Sequence, residues 1–404
     1  MPERLNRDEV DYYLSRAADA GFNVVQVQTI NDVPAINIYG QKSMNGDFDF
    51  THIADSDTYG YWEHMDYIID RAASEGIYVG MVCIWGGLVK GGKMNVEQAR
   101  RYGTFLGKRY ADKPNIVWII GGDIRGDVKT DVWTALAESI KAVDNNHLMT
   151  FHPFGRTCSV TWFNNESWLD FNMFQSGHRR YGQKKGDGDY TDPEDNEEDN
   201  WRYAEKALSV TPLKPVLDAE PSYEGIPQGL HDLSQPRWKD IDVRRYAYWS
   251  VFAGSCGHTY GNNSIMQFYR PGLPPAYGAT ESWIDALDNP GFNQMKHLKR
   301  LMTLFPLGTH KPDQSVIVGE IGERYNRLTA LRGNDFILVY NYTGRQMKIN
   351  LSPLPKIDLK AWYFSPSTGE ITPIDMHRKG SIAIFNPEDG KDVVLIIAPS
   401  DKKF

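Results

Sequence analysis

The sequence lacks the features that mark several broad classes of protein. It has no basic run, and 52 acidic against 44 basic residues give it a formal net charge of −8. Nucleic acids and anionic membrane surfaces attract clustered Lys and Arg, so we expect neither as a partner. The longest purely apolar run, residues 393–398, is far shorter than the roughly 20 residues that cross a bilayer, so we expect no membrane span.

Cysteine is scarce as well. Cys83, Cys158 and Cys256 are odd in number and far apart, which predicts neither a disulfide framework nor a zinc site, and we expect all three to be buried. No metal-ligand spacing, no G-x-G-x-x-G after an early strand and no phosphate loop occurs, so we expect neither metal nor cofactor. The N-terminal residues MPERLNRDEV lack the apolar core of a signal peptide.

One acidic stretch, KKGDGDYTDPEDNEEDN, has the outline of a calcium loop. It places Asp187, Asp189 and Glu198 at positions 1, 3 and 12 of an EF-hand. Position 6 requires glycine and holds Asp192, and no helix pair brackets the stretch. A solvated loop is therefore the preferred interpretation, with calcium binding as the alternative.

The chain has ample length and many aromatic side chains. Its 404 residues suit one large domain plus a compact second module. Aromatic residues make up 12% of the chain, including 11 Trp and 22 Tyr. Flat rings can stack on sugar faces, so this content slightly favours a carbohydrate ligand, although a large core with Tyr hydroxyls at the surface would also account for it.

One structural unit occurs twice near the N-terminus. RAADAGFNVVQV from Arg16 matches RAASEGIYVGMV from Arg71, and in each an amphipathic pattern ends at a glycine, Gly21 or Gly76, before an apolar run. Such a glycine is typical of a helix C-cap, and a continuous apolar run is typical of a strand covered on both faces. The repeat predicts helix–strand units and a parallel sheet.

Further along the chain the same alternation predicts a (β/α)8 TIM barrel, with a doubly wound sheet as the alternative. The helix at Arg7 should follow a first strand, which we expect to be missing from this chain, unless another segment closes the barrel. An irregular stretch at 155–168 replaces one helix. Helices are expected near 7–20, 61–75, 95–111, 130–143, 200–209, 242–254 and 290–305, and strands near 22–29, 77–85, 115–122, 147–152, 169–175, 215–219 and 257–261.

After residue 309 the pattern changes to short alternating runs separated by turn-like tetrads such as NYTG and PSTG. The runs SVIVGEI, LTALRG, DFILVYNYTG, KAWYFSPSTGEI, SIAIFNPEDG and DVVLIIA predict a small antiparallel β-sandwich. We therefore expect a catalytic barrel at 1–309 and a β-sandwich domain at 310–404.

The active site of a TIM barrel lies at the carboxyl ends of its strands, so residues just after each apolar run are the candidates. Two are carboxylates: Asp123 ends NIVWIIGGD, and Glu220 ends PVLDAE. No Ser-His-Asp arrangement in a nucleophile elbow accompanies them. The expected substrate-binding residues are Gln28, Trp85, His152, Gln175, His178, Tyr223, His258 and Tyr260.

Two carboxyl groups are what glycosidic cleavage requires, and a retaining enzyme holds them roughly 5 to 5.5 Å apart. Asp123 would be the general acid/base, and Glu220, kept out of a helix by Pro221, the nucleophile. The alternatives are a helix cap or an Arg125 partner for Asp123, and Asp218 or Glu224 as nucleophile. We also expect Asp123 to be the more desolvated carboxyl, with His258 and Tyr260 as candidate donors to Glu220.

At these residues the sequence resembles the apiosidase-like glycoside hydrolases, family 140, which carry a collagen-binding-like C-terminal module. The matching blocks are KPNIVWIIGGD, FHPFGR, QSGH, PVLDAEPSYEG, RRYAYWSVFAGSCGHTYG and, in the last domain, WYFSPSTGEI. The resemblance implies that Asp123 is the acid/base and Glu220 the nucleophile. Related barrels have Asn-Glu where this chain has Gly122-Asp123, and the family's opening block W-L-G-D-T-A-W is absent.

The resemblance further implies a substrate class and a location. Family members attack apiose-containing side chains of the pectin rhamnogalacturonan II, and are secreted or periplasmic bacterial enzymes. Two other functions stay open: a catalytically silent carbohydrate-binding barrel, and an endo-glucanase or mannanase with the same mechanism and a longer cleft. Oligomeric state is not predicted.

Overall fold

The computed structural model describes residues 1–50, 59–183, 196, 198–306 and 308–404. These residues form two compact units: Met1–Gln175 with Ala207–Ala219, and Ser176–Lys206 with Glu220–Phe404. Asp187, Asp189 and Asp192 of the acidic stretch lie outside the described residues. Among the described helices, none combines the length and apolarity that crossing a membrane requires.

All seven predicted helices are present, and four short ones were not predicted. Local capping explains where two long helices begin: Asn6 and Glu9, and likewise Asn95 and Gln98, exchange side-chain and main-chain hydrogen bonds in capping boxes. The helices are α1 (Arg7–Asp19), α2 (Tyr61–Ser74), α3 (Gly86–Lys90), α4 (Val96–Tyr110), α5 (Thr130–Lys141), α6 (Val160–Phe163), α7 (Asn200–Leu208), α8 (Asp240–Phe252), α9 (Asn263–Met266), α10 (Trp283–Ala286) and α11 (Pro290–Thr303).

The first unit is built on parallel strands. One sheet has the order β1-β2-β3-β4, all parallel, and in a second sheet β6 pairs with β7 in parallel and with β5 antiparallel. The strands are β1 (Val24–Gln28), β2 (Tyr78–Val82), β3 (Ile116–Ile124), β4 (Met149–Pro153), β5 (Thr157–Cys158), β6 (Asn172–Gln175) and β7 (Val216–Asp218). Helices alternate with these strands along the chain, so this unit has a parallel-stranded α/β fold, as expected.

Side chains from both sheets of the first unit meet in one core. Val82, Ile119, Met173 and Ala219 form a buried cluster. Gln26 of β1 donates from Nε2 to the main-chain oxygen of Ala219, just after β7, at 3.1 Å. A side chain of the first strand therefore reaches the end of the last one.

The predicted strand at 257–261 is wrong. His258 and Asn262 each form an isolated bridge instead of a ladder, and the bridge of Asn262 is parallel with Glu224. The N–H of Glu224 donates to Gly261 O, and the N–H of Asn263 donates to Glu224 O, each at 2.9 Å. Glu224 thus pairs with the main chain on both sides of Asn262.

The C-terminal residues form the predicted antiparallel β-sandwich. Its sheets have the orders β13-β12-β16-β10-β9-β8 and β11-β15-β14, and residues such as Val339, Leu395, Ile349 and Phe385 from both sheets share one core. The strands are β8 (Lys311–Pro312), β9 (Leu328–Arg332), β10 (Ile337–Asn341), β11 (Met347–Asn350), β12 (Leu359–Phe364), β13 (Ile371–Ile374), β14 (His377–Lys379), β15 (Ile382–Phe385) and β16 (Val393–Pro399).

Two further expectations are corrected in the second unit. SVIVGEI is not a strand: the Asp313 side chain accepts from Ser315 N–H and starts a 3₁₀ turn, Gln314–Val316, after which Ile317 forms a single bridge with Ile349. Cys83 and Cys158 are buried, but Cys256 is exposed. Cys256 directly follows the turn that ends α8, where the chain runs at the surface.

Candidate active site

Asp123 lies on a strained bulge at the end of β3. The register with β4 shifts between Gly121 and Ile124, so Gly122 and Asp123 have no counterparts on β4. Asp123 has a φ of 50°, a left-handed conformation that costs a non-glycine residue about 1 to 2 kcal/mol. Strain of this kind is typical of functional sites, where the surrounding structure holds a side chain in one direction.

The two glycines before Asp123 are required by their surroundings. Gly121 and Gly122 have φ values of 85° and 120°. A Cβ on Gly121 would lie 2.7 Å from the main-chain oxygen of His152, and one on Gly122 would lie 2.8 Å from Cε3 of Trp85. Trp85 and His152, both expected site residues, therefore pack directly around the bulge that carries Asp123.

His152 also contacts the main chain of Asp123. The Asp123 N–H lies 3.4 Å from His152 Nδ1, which is also 3.1 Å from the main-chain oxygen of Pro153. Nδ1 can accept from the first or donate to the second, depending on the tautomer of the ring. The ring centroids of His152 and Trp85 are 6.2 Å apart. Asp123, Trp85 and His152 thus lie together at the end of β3.

Gln28 and Gln175 are the other expected residues of the first unit. Gln28 is the partly buried last residue of β1 and pairs with Val82. Gln175 ends β6 and is buried, and its side-chain Oε1 has no hydrogen-bond partner within the described part of the chain. An unpaired buried acceptor is costly, so Oε1 is available to a hydroxyl donor.

Glu220 has an imidazole partner in the second unit. Nε2 of His178 lies 3.0 Å from Oε1 of Glu220, and their side chains are 7% and 15% exposed. The main chain holds the two together, because the Gly177 N–H donates to Glu220 O at 3.0 Å and the Ser222 hydroxyl donates to Gly177 O at 2.9 Å. The sequence predicts His178 and Glu220 as site residues but does not predict that they pair.

The surroundings of His178 decide its tautomer. An ionised carboxylate only accepts hydrogen bonds, so Nε2 carries the proton that points to Glu220. Nδ1 is buried and has no hydrogen-bond partner among the described residues. Burying an N–H without an acceptor is unfavourable, so we place the ring proton on Nε2, where it faces Glu220.

Tyr223 joins the same group. Its ring meets that of His178 edge to face, with centroids 4.9 Å apart. Gly261 lies against the other side of the tyrosine, since a Cβ there would approach ring atom Cδ1 to 2.0 Å. The structure therefore brings Glu220, His178 and Tyr223 together.

Tyr260 and Glu224 form a separate pair. The Tyr260 hydroxyl donates to Glu224 Oε2 at 2.5 Å, and the N–H of Gly291, in the first turn of α11, donates to Oε1 at 3.2 Å. Burial raises the pKa of Glu224 above its usual value, and these two donors oppose the shift without cancelling it. A phenol has one proton, so a Tyr260 that donates to Glu224 cannot donate to Glu220.

His258 packs on α11. Its Nε2 lies 3.1 Å from Sδ of Met295, and burial lowers the pKa of His258 to about 4. The imidazole is therefore neutral at physiological pH. His258 and Tyr260 are the expected donors to Glu220, and each contacts another residue, Met295 and Glu224 respectively. The imidazole that contacts Glu220 is that of His178.

The strained bulge at Asp123 has a signal in the sequence, namely the two glycines directly before this strand-end carboxylate.

Asp123 belongs to the first unit and Glu220 to the second. The distance between their carboxyl groups stays a prediction.

Known families match both parts of the sequence. The model of an apiosidase-like catalytic domain matches residues 1–309, and that of a putative collagen-binding domain of a collagenase matches residues 311–398. No curated protein matches the chain.

Solved structures give the class of protein. One described as a glycoside hydrolase, and the crystal structure of a glycoside hydrolase family 5 from Bacteroides vulgatus ATCC 8482, both align with 100% of this chain at 58% identity and a TM-score of 0.97. The alignments cover 91% of the first and 88% of the second. An endo-1,4-beta-D-mannanase from Thermotoga petrophila RKU-1 shares the fold alone, at 16% identity and a TM-score of 0.51, over 74% of this chain and 96% of that one.

The parallel-stranded α/β unit and these structures define an enzyme of the glycoside hydrolase class, with a carbohydrate as substrate. Within that class, the chain belongs to the apiosidase-like family. The resemblance inferred from its sequence blocks is confirmed.

Proposed function

We propose that this enzyme is a retaining glycosidase in which Glu220 is the nucleophile and Asp123 the general acid/base. The hydrogen bond from His178 to Glu220 carries the proposal. Among the neighbouring acidic residues, Glu220 combines partial exposure with an imidazole donor, whereas Asp218 is fully buried and Glu224 is occupied by Tyr260 and Gly291. A carboxylate that attacks a sugar must be accessible, and Glu220 is partly exposed. A hydrogen bond from His178 favours the ionised form that attack requires.

The reaction follows from these roles. Asp123, protonated, gives its proton to the glycosidic oxygen as that oxygen leaves, while a Glu220 oxygen bonds to the anomeric carbon. Asp123, now ionised, then removes a proton from water, which attacks the same carbon and releases Glu220. The His178 N–H stabilises the negative charge of Glu220 before attack and after release. The strained backbone of Asp123 supports a functional role over that of a silent binding protein.

We also propose that the parallel strands close into a (β/α)8 barrel within residues 1–309, followed by the β-sandwich at 310–404. The shared core of Val82, Ile119 and Met173 and the hydrogen bond from Gln26 to the main chain after β7 support closure. In such a barrel, inward-pointing side chains of several strands meet in layers.

The proposed substrate is an apiose-containing side chain of pectin, as the family's name suggests. Trp85 would offer a ring face, and Gln175 a free acceptor, to a small furanose. Degradation of plant cell-wall pectin by a bacterium, with the enzyme outside the cytoplasm, fits this substrate and the Bacteroides vulgatus relative.

One experiment tests both substrate and stereochemistry. The enzyme is incubated with a panel of pectin side-chain oligosaccharides, β-mannans and β-glucans, with methanol added as an acceptor. We expect apiose release from the pectin fragments and a methyl glycoside with the anomeric configuration of the substrate. A product of inverted configuration would contradict the retaining mechanism, and cleavage restricted to mannan or glucan would contradict the substrate.

A further inference from the structure

A buried ion pair lies beside the segment that carries His178. Arg245 of α8 pairs with Glu198, and both side chains are 0% exposed. Glu198 Oε1 accepts from the Tyr181 N–H at 2.7 Å and from the Tyr325 hydroxyl at 2.8 Å. Buried ion pairs often add little net stability, so a positioning role for this one is worth testing. Tyr325 belongs to the C-terminal β-sandwich domain proposed above.

The ion pair connects to His178 by two routes. Tyr181, whose N–H donates to Glu198, is three residues after His178. Trp238 donates its indole N–H to the main-chain oxygen of His178 at 3.3 Å, and its ring lies 6.0 Å from the Arg245 guanidinium. The position of the imidazole thus depends on groups arranged around Arg245 and Glu198.

The C-terminal domain contacts this arrangement through the turn at residues 324–327 and through Tyr342, whose ring lies 5.0 Å from the Arg245 guanidinium. The Tyr325 ring lies 4.7 Å from the Arg245 guanidinium and 5.1 Å from the Tyr181 ring, and the Arg324 guanidinium lies 5.0 Å from the Tyr181 ring. Arg327 lies 3.3 Å above the ring of Trp201 in α7. Arg324 has a φ of 49°, so the turn is held in a conformation unusual for a non-glycine residue.

We propose that Tyr325 is a positioning residue for catalysis: through Glu198 and Arg245, the C-terminal domain holds the 178–181 segment so that His178 keeps its hydrogen bond to Glu220. This rests on the proposed role of Glu220. The domain is then part of the catalytic apparatus, and its contribution is the orientation of one imidazole.

Other contacts attach the same domain to α8, so Tyr325 can be altered without detaching it. Arg244 pairs with Asp392 at 2.9 Å, and both side chains are nearly fully buried. The rings of Tyr248 and Tyr340 stack with centroids 4.7 Å apart. Tyr325→Phe removes one hydroxyl and keeps the ring over Arg245. Tyr363→Phe, which removes a hydroxyl from β12 of the same domain, is the matched control.

The first test needs no substrate. In the 404-residue chain with ¹³C-labelled histidines, the His178 signal is assigned by its loss in His178→Gln, and its chemical shift is compared between variants at pH 7. We expect Tyr325→Phe to change this chemical shift, with no change in Tyr363→Phe. An unchanged His178 signal in Tyr325→Phe would overturn the proposal even if the enzyme had another activity.

The second test uses the reaction. We expect Tyr325→Phe to lower kcat about tenfold with KM within about twofold, and to move the acidic limb of the pH–rate profile to higher pH. In the His178→Gln background the same change should have no further effect on kcat. An equal loss of kcat in both backgrounds, or an unmoved acidic limb, would show that Tyr325 does not act through His178.

Discussion

The Nε2 atom of His178 lies 3.0 Å from Oε1 of Glu220, and the ring of Tyr223 packs edge to face against the same imidazole. The main chain reinforces the contact, since Gly177 donates to the carbonyl oxygen of Glu220. The local backbone therefore holds the two side chains together, and the imidazole N–H stabilises the negative charge of the carboxylate.

Removing that proton donor should change the pH dependence of the reaction. A hydrogen bond to an ionised carboxylate favours its charged form. In His178→Ala we expect the acidic limb of kcat/KM to move to higher pH and kcat to fall about 10- to 100-fold. A pH–rate profile from pH 4 to 9 measures both.

The control for this prediction is His377→Ala, a histidine on an exposed strand of the β-sandwich. It should match the wild type at every pH. A His178→Ala profile with an unshifted acidic limb would mean that the imidazole does not stabilise the Glu220 charge.

The bulge at Asp123 should not tolerate a methyl group on the preceding residue. Gly122→Ala would place Cβ 2.8 Å from Trp85 Cε3, so the ring or the bulge must move. We expect kcat/KM to fall at least about 100-fold, because small displacements of a catalytic group are costly.

Gly92→Ala is the matched control for the backbone conformation. Gly92 also has a positive φ, 78°, but nothing lies within 4 Å of an added Cβ. It should lose about 1 kcal/mol of unfolding free energy and keep full activity. If Gly122→Ala were as active as Gly92→Ala, the close packing of Trp85 would have no bearing on Asp123.

Glu224 should matter for stability and its pH dependence, not for the chemical step. Because the pKa of Glu224 is raised on folding, the folded state holds this proton more tightly, and its contribution to stability is lost as pH rises through the raised value. Glu224→Gln should therefore remove part of the loss in unfolding free energy between pH 4, below the ordinary carboxyl pKa of 4.5, and pH 8, and keep activity within about tenfold. Urea unfolding at both pH values and one kinetic assay test this; a loss of activity as deep as that of Glu220→Ala would make Glu224 the nucleophile.

The helices and most strands followed from local patterns in the sequence. Glycines such as Gly21 and Gly76 mark helix ends, and the apolar runs after them mark strands β1 and β2. The segment at 257–261 is not a strand in the structure, because His258 and the following Asn262 form isolated bridges and no ladder. The 3₁₀ turn after Asp313 depends on one side-chain hydrogen bond, which competes with strand formation.

The structure shows pairings among the candidate residues that the sequence does not predict. Strand-end position selects Asp123 and Glu220 as candidates, because parallel strands present their carboxyl ends to one edge, and their catalytic roles stay predictions. Which imidazole faces Glu220 was not predictable, since His178 and His258 both follow apolar or mixed runs and differ only in tertiary contacts. The pair of Arg245 and Glu198 joins α8 to a residue 47 positions earlier, for which the sequence carries no local signal.

The most direct test compares Asp123→Ala and Glu220→Ala on two substrates of the same sugar, one with an alkyl leaving group and one with an activated aryl leaving group. We predict that Asp123→Ala slows the alkyl glycoside about 10²- to 10⁴-fold but the aryl glycoside far less, because the latter needs little proton donation. Glu220→Ala should lose at least about 10⁴-fold on both. Equal slowing of both substrates by Asp123→Ala, or near wild-type turnover in Glu220→Ala, would contradict the roles assigned to the two carboxylates.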